Sequence, residues 1–408
     1  MADTLTCGVP EPGGQPLERN ADIPRPGAVM KFCLLNILML ADIAFFALGG
    51  GWLWAGFGLA LVLSIGVDTI AGDDLAVDSA ATRHPFYDLM LYATLPLLAV
   101  LSFQFLALAS SDVAVPVAAI AGLAGWDLTA ARAATNGWGL AGGFLTLGML
   151  YGAGGVNVAH ELIHRTGDRA AWTTGRLLLG LTFDAAFAIE HVHNHHRNVG
   201  TPADPATARR GETVYGFILR STFGGWASAA RIEAALLVAR GRPALSWANR
   251  VLRGYLISAA YCAFALALFG MAGLLAFLLL AVQGKVYLEL VNYIEHYGLV
   301  RQRGKPVEAR HSWNTQRRIS NWLLYNLPRH SDHHAFASKP FWSLDPGSEA
   351  PRLPFGYELM ILIALVPPLF RALMHRRLAD WDRRFASTEE RRLLEARGQW
   401  FGEPAGVG

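Results

Sequence analysis

Histidines at helical spacing are the residues of this chain best placed to do chemistry. His160 and His164 stand four positions apart in the run HELIH, and an α-helix puts positions i and i+4 on one face. Two imidazoles on one face can bind the same metal ion. The same letters also fit HExxH, the zinc metalloprotease pattern in which the glutamate is the general base. This motif alone leaves both chemistries open.

Three further stretches add histidines at comparable spacing: EHVHNHH at 190–196, NYIEHYG at 292–298 and RHSDHH at 329–334. In the first and third of these stretches, rings three or four positions apart line up on a helix. The predicted metal ligands are nine histidines: His160, His164, His191, His195, His196, His296, His330, His333 and His334.

Nine imidazoles exceed what one metal ion can hold, since a zinc ion takes four ligands. They are enough for two ions with four or five ligands each. Nitrogen-rich sites suit iron, copper, nickel or zinc. An apolar setting favours iron, because activation of O2 there would serve an apolar substrate. A zinc protease built on HELIH would leave the histidines of 329–334 without a role.

Acidic residues flank the ligands, and the remaining histidines do not line up with them. A carboxylate that accepts the far N–H of a ligating ring fixes its tautomer and orientation; the alternative is ordinary charge on a helix surface. The acids expected to support the ligands in this way are Glu161, Glu190, Glu295 and Asp332. The histidines left outside the metal set are His84, His193, His311 and His375.

The elements that must position these residues are apolar helices. The chain has 408 residues, of which 53% are hydrophobic and 16% charged, whereas a soluble domain has about 25% charged residues. Runs long enough to cross a bilayer lie near 32–50, 52–70, 87–110, 137–159, 254–271 and 272–294. The sequence predicts an all-α integral membrane protein with six transmembrane helices and a cytoplasmic, histidine-rich helical cap.

The distribution of basic residues predicts the orientation. The segment 161–253 holds twelve Arg, and the chain from 295 onward holds seventeen Lys or Arg; such excesses mark the cytoplasmic side. Both termini and the metal site are therefore expected in the cytoplasm. We predict a flexible tail at 1–30, a membrane hydroxylase domain at 31–375 with its metal region at 160–253 and 295–350, and a charged tail at 376–408.

Composition also excludes some functions. A net charge of +3 gives no strong basic field for nucleic acid. Three cysteines without a CxxC pair exclude a fused iron–sulfur or rubredoxin-type site. Any electrons must therefore come from another protein.

The motifs resemble those of the membrane alkane 1-monooxygenase family and its xylene and cymene methyl-monooxygenase relatives. The similar runs occur in order: HELIHR at 160–165, EHVHNHH at 190–196, NYIEHYGL at 292–299, HSWN at 311–314 and LPRHSDHHA at 327–335. Fatty-acid desaturases share the general three-box pattern but not NYIEHYGL. Asn194 and Pro328 depart from the family, where Gly and Gln are common.

The resemblance implies a bacterial inner-membrane enzyme with two non-haem iron ions held by the nine histidines. It implies O2 as co-substrate, and a rubredoxin or ferredoxin-type electron donor with its NAD(P)H reductase. The expected reaction converts a medium- or long-chain n-alkane to the 1-alkanol. The alternatives are hydroxylation of an aryl methyl group, fatty-acyl desaturation and intramembrane HExxH zinc proteolysis.

Two further expectations concern substrate and partner. Trp52 and Trp54 are candidates to line a substrate channel; the alternative is that they anchor the chain at the membrane interface. An acidic electron carrier could dock on a basic cytoplasmic surface, the alternative being the general bias for basic residues on that side. The arginines of this surface are Arg209, Arg210, Arg301, Arg303, Arg317 and Arg318.

Overall fold

The computed structural model of the chain describes residues 30–77, 85–347 and 349–402. Within these ranges the protein is built from helices, with no β-strand. Five helices of 18 to 47 residues are apolar enough to cross a membrane, and about 20 residues suffice for one crossing. The chain is therefore a multi-pass, all-α membrane protein. These helices are α1 (Lys31–Leu48), α2 (Gly50–Ile70), α3 (Pro85–Ala109), α6 (Gly137–His164) and α10 (Arg250–His296).

The remaining helices are shorter, and most of them form a polar layer near the histidines. They are α4 (Val115–Leu123), α5 (Leu128–Ala134), α7 (Arg169–Gly180), α8 (187–198), α9 (Val214–Ala239), α11 (Arg318–Leu323), α12 (His330–Ala335), α13 (Tyr357–Ala364), α14 (Pro367–Arg384) and α15 (Thr388–Ala396). Side chains cap several of these helices: Asp168 accepts from the amides of Ala170 and Ala171 at the start of α7, which stabilises the helix terminus.

Glycine turns divide the apolar segments where the sequence predicts hairpins. Gly49, between α1 and α2, has φ 70° and ψ −165°, and Gly270 inside α10 has almost the same angles, φ 64° and ψ −165°. A glycine adopts this backbone without steric cost. The 47 residues of α10 would extend about 70 Å as a straight helix, over twice the thickness of a bilayer's hydrocarbon core. Six separate crossings stay a prediction, because the structure has five continuous helices of this kind.

Glycines of α6 let large side chains from its neighbours approach its backbone. A Cβ at Gly152 would lie 2.3 Å from the ring of Tyr287, and one at Gly148 would lie 1.9 Å from the side chain of Gln283. Small residues at such contacts permit close helix packing in membranes. The contacts hold α10 against α6, and both helices carry predicted metal ligands at their ends.

The C-terminal helices pack on the polar layer. Trp381 of α14 is fully buried, and Asp382 forms two contacts with Arg210, of 2.6 and 2.9 Å. The apolar segment at 355–374 packs here too, since the Phe370 ring lies against Tyr293 of α10. The predicted charged tail at 376–408 thus includes ordered helix up to Ala396. The predicted flexible tail at 1–29 lies outside the described residues, and the predicted domain boundaries stay predictions.

Candidate metal centre

The fold gathers the predicted histidines into two neighbouring groups. In each group the ring nitrogens that can bind a metal lie within 4.8 Å of one another. The first group is His160, His164, His191, His196 and His333; the second is His195, His296, His330 and His334. All nine predicted ligands are included, and they come from four distant stretches of the chain.

The first group forms where the end of α6 meets α8 and α12. His160 and His164 both belong to it, as their i, i+4 spacing predicts. The Nε2 atom of His191 lies 3.1 Å from that of His164 and 3.0 Å from that of His196. His333 closes the group, with its Nε2 3.2 Å from the Nε2 of His196.

The second group forms where the end of α10 meets α12 and α8. The Nε2 atom of His330 lies 3.1 Å from that of His296 and 3.0 Å from that of His334. His330 and His334 are again an i, i+4 pair on one helix. His195 completes the group, and its ring centroid lies 4.8 Å from those of His296 and His334.

A π-helical turn at His191–His195 divides the ligands of α8 between the two groups. The sequence places His191 and His195 on one face of an α-helix, and their rings do stack 5.0 Å apart. However, His191 belongs to the first group and His195 to the second. The wider turn of a π-helix, a feature frequent at functional sites, allows consecutive ligands to serve separate groups.

The donor set fits metal ions. The Nε2 atoms of His160 and His195 are buried without a hydrogen-bond partner among the described residues. A neutral imidazole has only one donor and one acceptor, so rings packed at Nε2 separations of 3.0 to 3.2 Å cannot all satisfy one another. Two nitrogens bound at right angles, each about 2.1 Å from one ion, would lie about 3.0 Å apart.

Burial keeps these rings in the protonation state that binds metals. Desolvation lowers the pKa of His191, His333 and His334 well below the ordinary value, with further lowering from neighbouring histidines. Neutral imidazoles have a free lone pair, which a cation can accept. The two groups can therefore hold metal ions.

Of the four acids predicted to support the ligands, only Glu295 touches a ligand ring in the described structure. Its Oε2 lies 3.2 Å from Nε2 of His330, while Tyr357 donates a 2.8 Å hydrogen bond to its other oxygen. The other three face different partners: Glu161 pairs with Arg165, Glu190 accepts from Asn194, and Asp332 pairs with Lys339. Their predicted support of the ligands is therefore not seen as direct contact.

Asp204 supports a ligand and was missed from the sequence. Its Oδ2 lies 2.9 Å from Nδ1 of His195 and accepts a hydrogen bond from Thr207. Burial lowers the pKa of His195, but the Asp204 carboxylate opposes this more strongly and the net pKa is raised. The residue lies in TPADPAT at 201–207, which the sequence analysis used only for family resemblance. No spacing rule links position 204 to position 195.

The histidines left outside the metal set stay outside it where they are described. His311 pairs with Glu390 at 2.8 Å, and His375 lies against Phe401. His193 is in neither group of the described residues. His84 lies outside the described residues.

The two predicted channel tryptophans lie elsewhere in the bundle. Trp52 is 55% exposed and stacks on Phe45, whereas Trp54 packs on Trp138 and donates to its carbonyl oxygen at 2.9 Å. Neither is among the described residues that line the two cavities considered below. Their positions agree with the alternative of aromatic anchors at the membrane interface.

Both histidine groups open onto one small apolar pocket. This histidine pocket has a volume of about 30 Å³, and its walls include His160, His191, His330, Leu288 and Val291. Rings from the first and second groups thus face the same space. A small apolar group in this pocket would contact both halves of the centre.

A much larger apolar space lies farther from the histidines. This lipid-side cavity has a volume of about 870 Å³ and is lined by residues of α1, α3, α4 and α10. Val100, Ile120 and Phe264, which line it, are each at least 44% exposed. The cavity is therefore open on the apolar side of the helix bundle.

The contact between Asp204 and His195 makes a first prediction. Asp204→Asn should lower metal affinity at the second group about 10- to 100-fold, the usual cost of losing such a support. The change is measured as metal per chain after dialysis against a weak chelator. Asp332→Asn is the comparison, because Asp332 flanks the ligands in sequence but contacts Lys339. Equal metal loss in both variants would contradict the role of Asp204.

Comparison with known proteins places the chain in a family. The family described as fatty acid desaturase matches residues 136–362. Alkane 1-monooxygenase 1 of Pseudomonas aeruginosa is 40% identical over 58% of this chain and 64% of its own length, which is less than two thirds. Alkane 1-monooxygenase 2 of the same organism is 36% identical over 79% of this chain and 83% of its own length.

A further relative extends the similarity over nearly the whole chain. The hydroxylase component XylM of xylene/toluene monooxygenase from Pseudomonas putida is 30% identical over 92% of this chain and 96% of its own length. The long matches include all four stretches that form the histidine groups. The chain belongs to the membrane monooxygenase family that contains the alkane 1-monooxygenases and XylM.

Proposed function

We propose that this protein uses O2 to hydroxylate the terminal methyl group of a hydrophobic substrate, a medium- or long-chain n-alkane that becomes a 1-alkanol. The observation that carries the proposal is the histidine pocket, where rings from both groups border an apolar space. The names of the relatives, alkane 1-monooxygenases and a xylene/toluene monooxygenase, support it.

Two iron ions are the proposed occupants, one in each histidine group, and when bound they supply the activation of O2 and the attack on a strong C–H bond. The nine rings fix the positions of these ions. Leu288, Val291 and Leu327 line the same pocket, where they exclude water and hold a methyl group close to both groups. Tyr357 fixes the Glu295 carboxyl beside His330.

The apolar substrate enters from the bilayer. Burial of an alkyl chain stabilises the bound state by about 0.8 kcal/mol per methylene, so the chain needs no polar contact to bind. The lipid-side cavity is lined almost entirely by apolar residues and is open beside Val100 and Phe264. It is the proposed binding site for the alkyl tail.

An aryl methyl group is the second candidate substrate, because the match to XylM covers 96% of that protein. Both candidates are tested together by supplying the iron-loaded protein with a donor system, O2, octane, hexadecane, p-cymene and xylene. A 1-alkanol as main product supports the first candidate, and a benzylic alcohol supports the second. A double bond in an acyl substrate, with no alcohol formed, would favour a desaturase instead.

Electrons are proposed to come from an acidic carrier, a rubredoxin or a ferredoxin-type protein with its NAD(P)H reductase. Arg210 and Arg301, from the predicted basic surface, are buried and bind the protein itself. Arg209 and Arg397, by contrast, border a surface pocket whose wall includes Asp204, the partner of His195. Both side chains are exposed and can meet an acidic partner a short distance from the second group.

This docking surface makes a second prediction. The double variant Arg209→Glu, Arg397→Glu should lower donor-dependent turnover about tenfold at low salt, since like charges slow the encounter. Reduction of the centre by dithionite should be unchanged. Arg240→Glu, at an exposed position after α9, is the matched control. An unchanged donor dependence in the double variant would place docking elsewhere.

We propose that the protein lies in the bacterial inner membrane with the metal centre and both termini in the cytoplasm. The basic segments at 161–253 and beyond 295 support this orientation, because such residues concentrate on the cytoplasmic side. The same side holds the donor and its reductase.

A further inference from the structure

The lipid-side cavity and the histidine pocket share no lining residue among the described residues. Along α10, Phe277 lines the first and Tyr287 the second, and ten helical positions separate them by about 15 Å. An alkyl tail in the cavity therefore does not reach the histidine pocket in this conformation.

Tyr151 fills the space between the two cavities. Its side chain is fully buried, and its Oη forms a 2.8 Å hydrogen bond with Oγ of Ser102, which lines the lipid-side cavity. The next residue, Gly152, lines the histidine pocket. Tyr151 thus lies between the two spaces.

The surroundings of Tyr151 are closely packed at this level. A Cβ at Gly284 of α10 would lie 2.6 Å from Cγ2 of Thr182 and 3.1 Å from the Cβ of Tyr151. Gly284 itself lies between Phe277 and Tyr287 along the helix. The packing leaves no bypass beside Gly284, so a chain that passes this layer must displace the Tyr151 ring.

The hydrogen bond that holds the ring has a defined direction. Ser102 donates its own hydrogen to the carbonyl oxygen of Leu98 at 2.6 Å, so the Tyr151 hydroxyl donates to Ser102. Tyr151 also begins a π-helical turn, Tyr151–Val156, and such turns are frequent at functional sites. A single neutral hydrogen bond on a ring next to a cavity can break at modest cost.

We propose that Tyr151 is a gate between the lipid-side cavity and the histidine pocket, and that it limits how far an alkyl chain reaches toward the metal ligands. The inference rests on the proposed function, because it assigns the cavity to the alkyl tail. In the closed position the ring is held by Ser102. In the open position the ring leaves this layer and the terminal methyl enters the histidine pocket.

The test uses two readouts on the full-length protein in detergent or nanodiscs. The first is the fluorine-19 relaxation rate of 1,1,1-trifluorododecane with cobalt(II)-loaded protein, compared with zinc-loaded protein. The difference between the two rises steeply as the CF3 end approaches the metal, and it requires no turnover. The second is KM and kcat for a series of n-alkanes with the iron-loaded protein.

Three variants open the gate in different ways. Tyr151→Phe and Ser102→Ala remove the hydrogen bond while leaving the packing nearly unchanged, and Tyr151→Leu shortens the side chain. The paramagnetic relaxation rate should rise, and KM should fall, about fivefold in the first two, as expected when one neutral hydrogen bond no longer holds the closed state. Tyr151→Leu should shift the preferred substrate to longer chains.

The matched control is Tyr215→Phe, which removes a hydroxyl bound to the carbonyl oxygen of Leu365 on the exposed side of α9. It should keep the relaxation rate and KM of the unchanged protein. Metal content and thermal unfolding are measured for each variant; if Tyr151→Leu does not fold, the two conservative variants still decide.

The outcomes separate the gate from the proposed function. A raised relaxation rate without any hydroxylation would support the gate and contradict the proposed reaction. Hydroxylation with relaxation rates and KM values equal in Tyr151→Phe, Ser102→Ala and the control would overturn the gate and leave the reaction intact.

Discussion

Replacing His333 with Ala should abolish turnover and remove metal from the first group. His333 packs its ring 4.5 Å from that of His160 and 4.7 Å from that of His164, and its Nε2 faces that of His196. Loss of an outer support costs about 10- to 100-fold in metal affinity, so loss of a ligand itself should lower activity by more than about a hundredfold. Metal per chain and alkanol formation measure the effect.

His193→Ala is the matched control for this variant. The residue stands among the ligands of α8 but belongs to neither group of the described residues. We expect nearly unchanged metal content and activity. If His333→Ala kept full activity while Glu161→Gln lost it, the zinc protease alternative would be favoured, since that chemistry needs only HELIH.

Removal of the metal ions should abolish activity and lower the stability of the polar layer. Without cations, nine buried rings face one another with unsatisfied nitrogens such as Nε2 of His160 and His195. Metal binding to such a site is coupled to folding, and a fall of more than about 10 °C in the melting temperature is expected. Unfolding is followed by circular dichroism after dialysis against a strong chelator.

Reloading separates the structural role of the ions from their chemical role. Zinc should restore the melting temperature but not turnover, because zinc has no redox chemistry. Iron(II) should restore both, with two ions per chain. Full activity of the zinc-loaded protein, or one ion per active chain, would contradict a di-iron centre.

The sequence predicts local arrangement well at this centre. The i, i+4 pairs His160/His164 and His330/His334 lie in one group each, because each pair depends only on the geometry of its own helix. The division of α8 between two groups was not predictable in this way, since the π-helical turn at His191–His195 depends on tertiary packing. Asp204 was missed for the same reason: a loop brings it to His195.

The membrane-spanning part shows a similar limit. Hydropathy alone locates the apolar helices, and glycines mark the turns at Gly49 and Gly270. It does not show which side chains line an internal space. Trp52 and Trp54 were proposed from their residue type, whereas the cavities are lined mainly by smaller apolar residues and by Phe103, Phe269 and Phe277. Which face of a uniformly apolar helix is internal depends on its neighbours.

The π-helical turn in α8 also bears on how the chain tolerates insertions and deletions. A π-helix closes its hydrogen bonds over one more residue than an α-helix does. Removing one residue from 191–195 would return the turn to α geometry and rotate everything after it by about 100° relative to His191. His195 and His196 would then point away from their ions together, so this short stretch is sensitive to length as well as to composition.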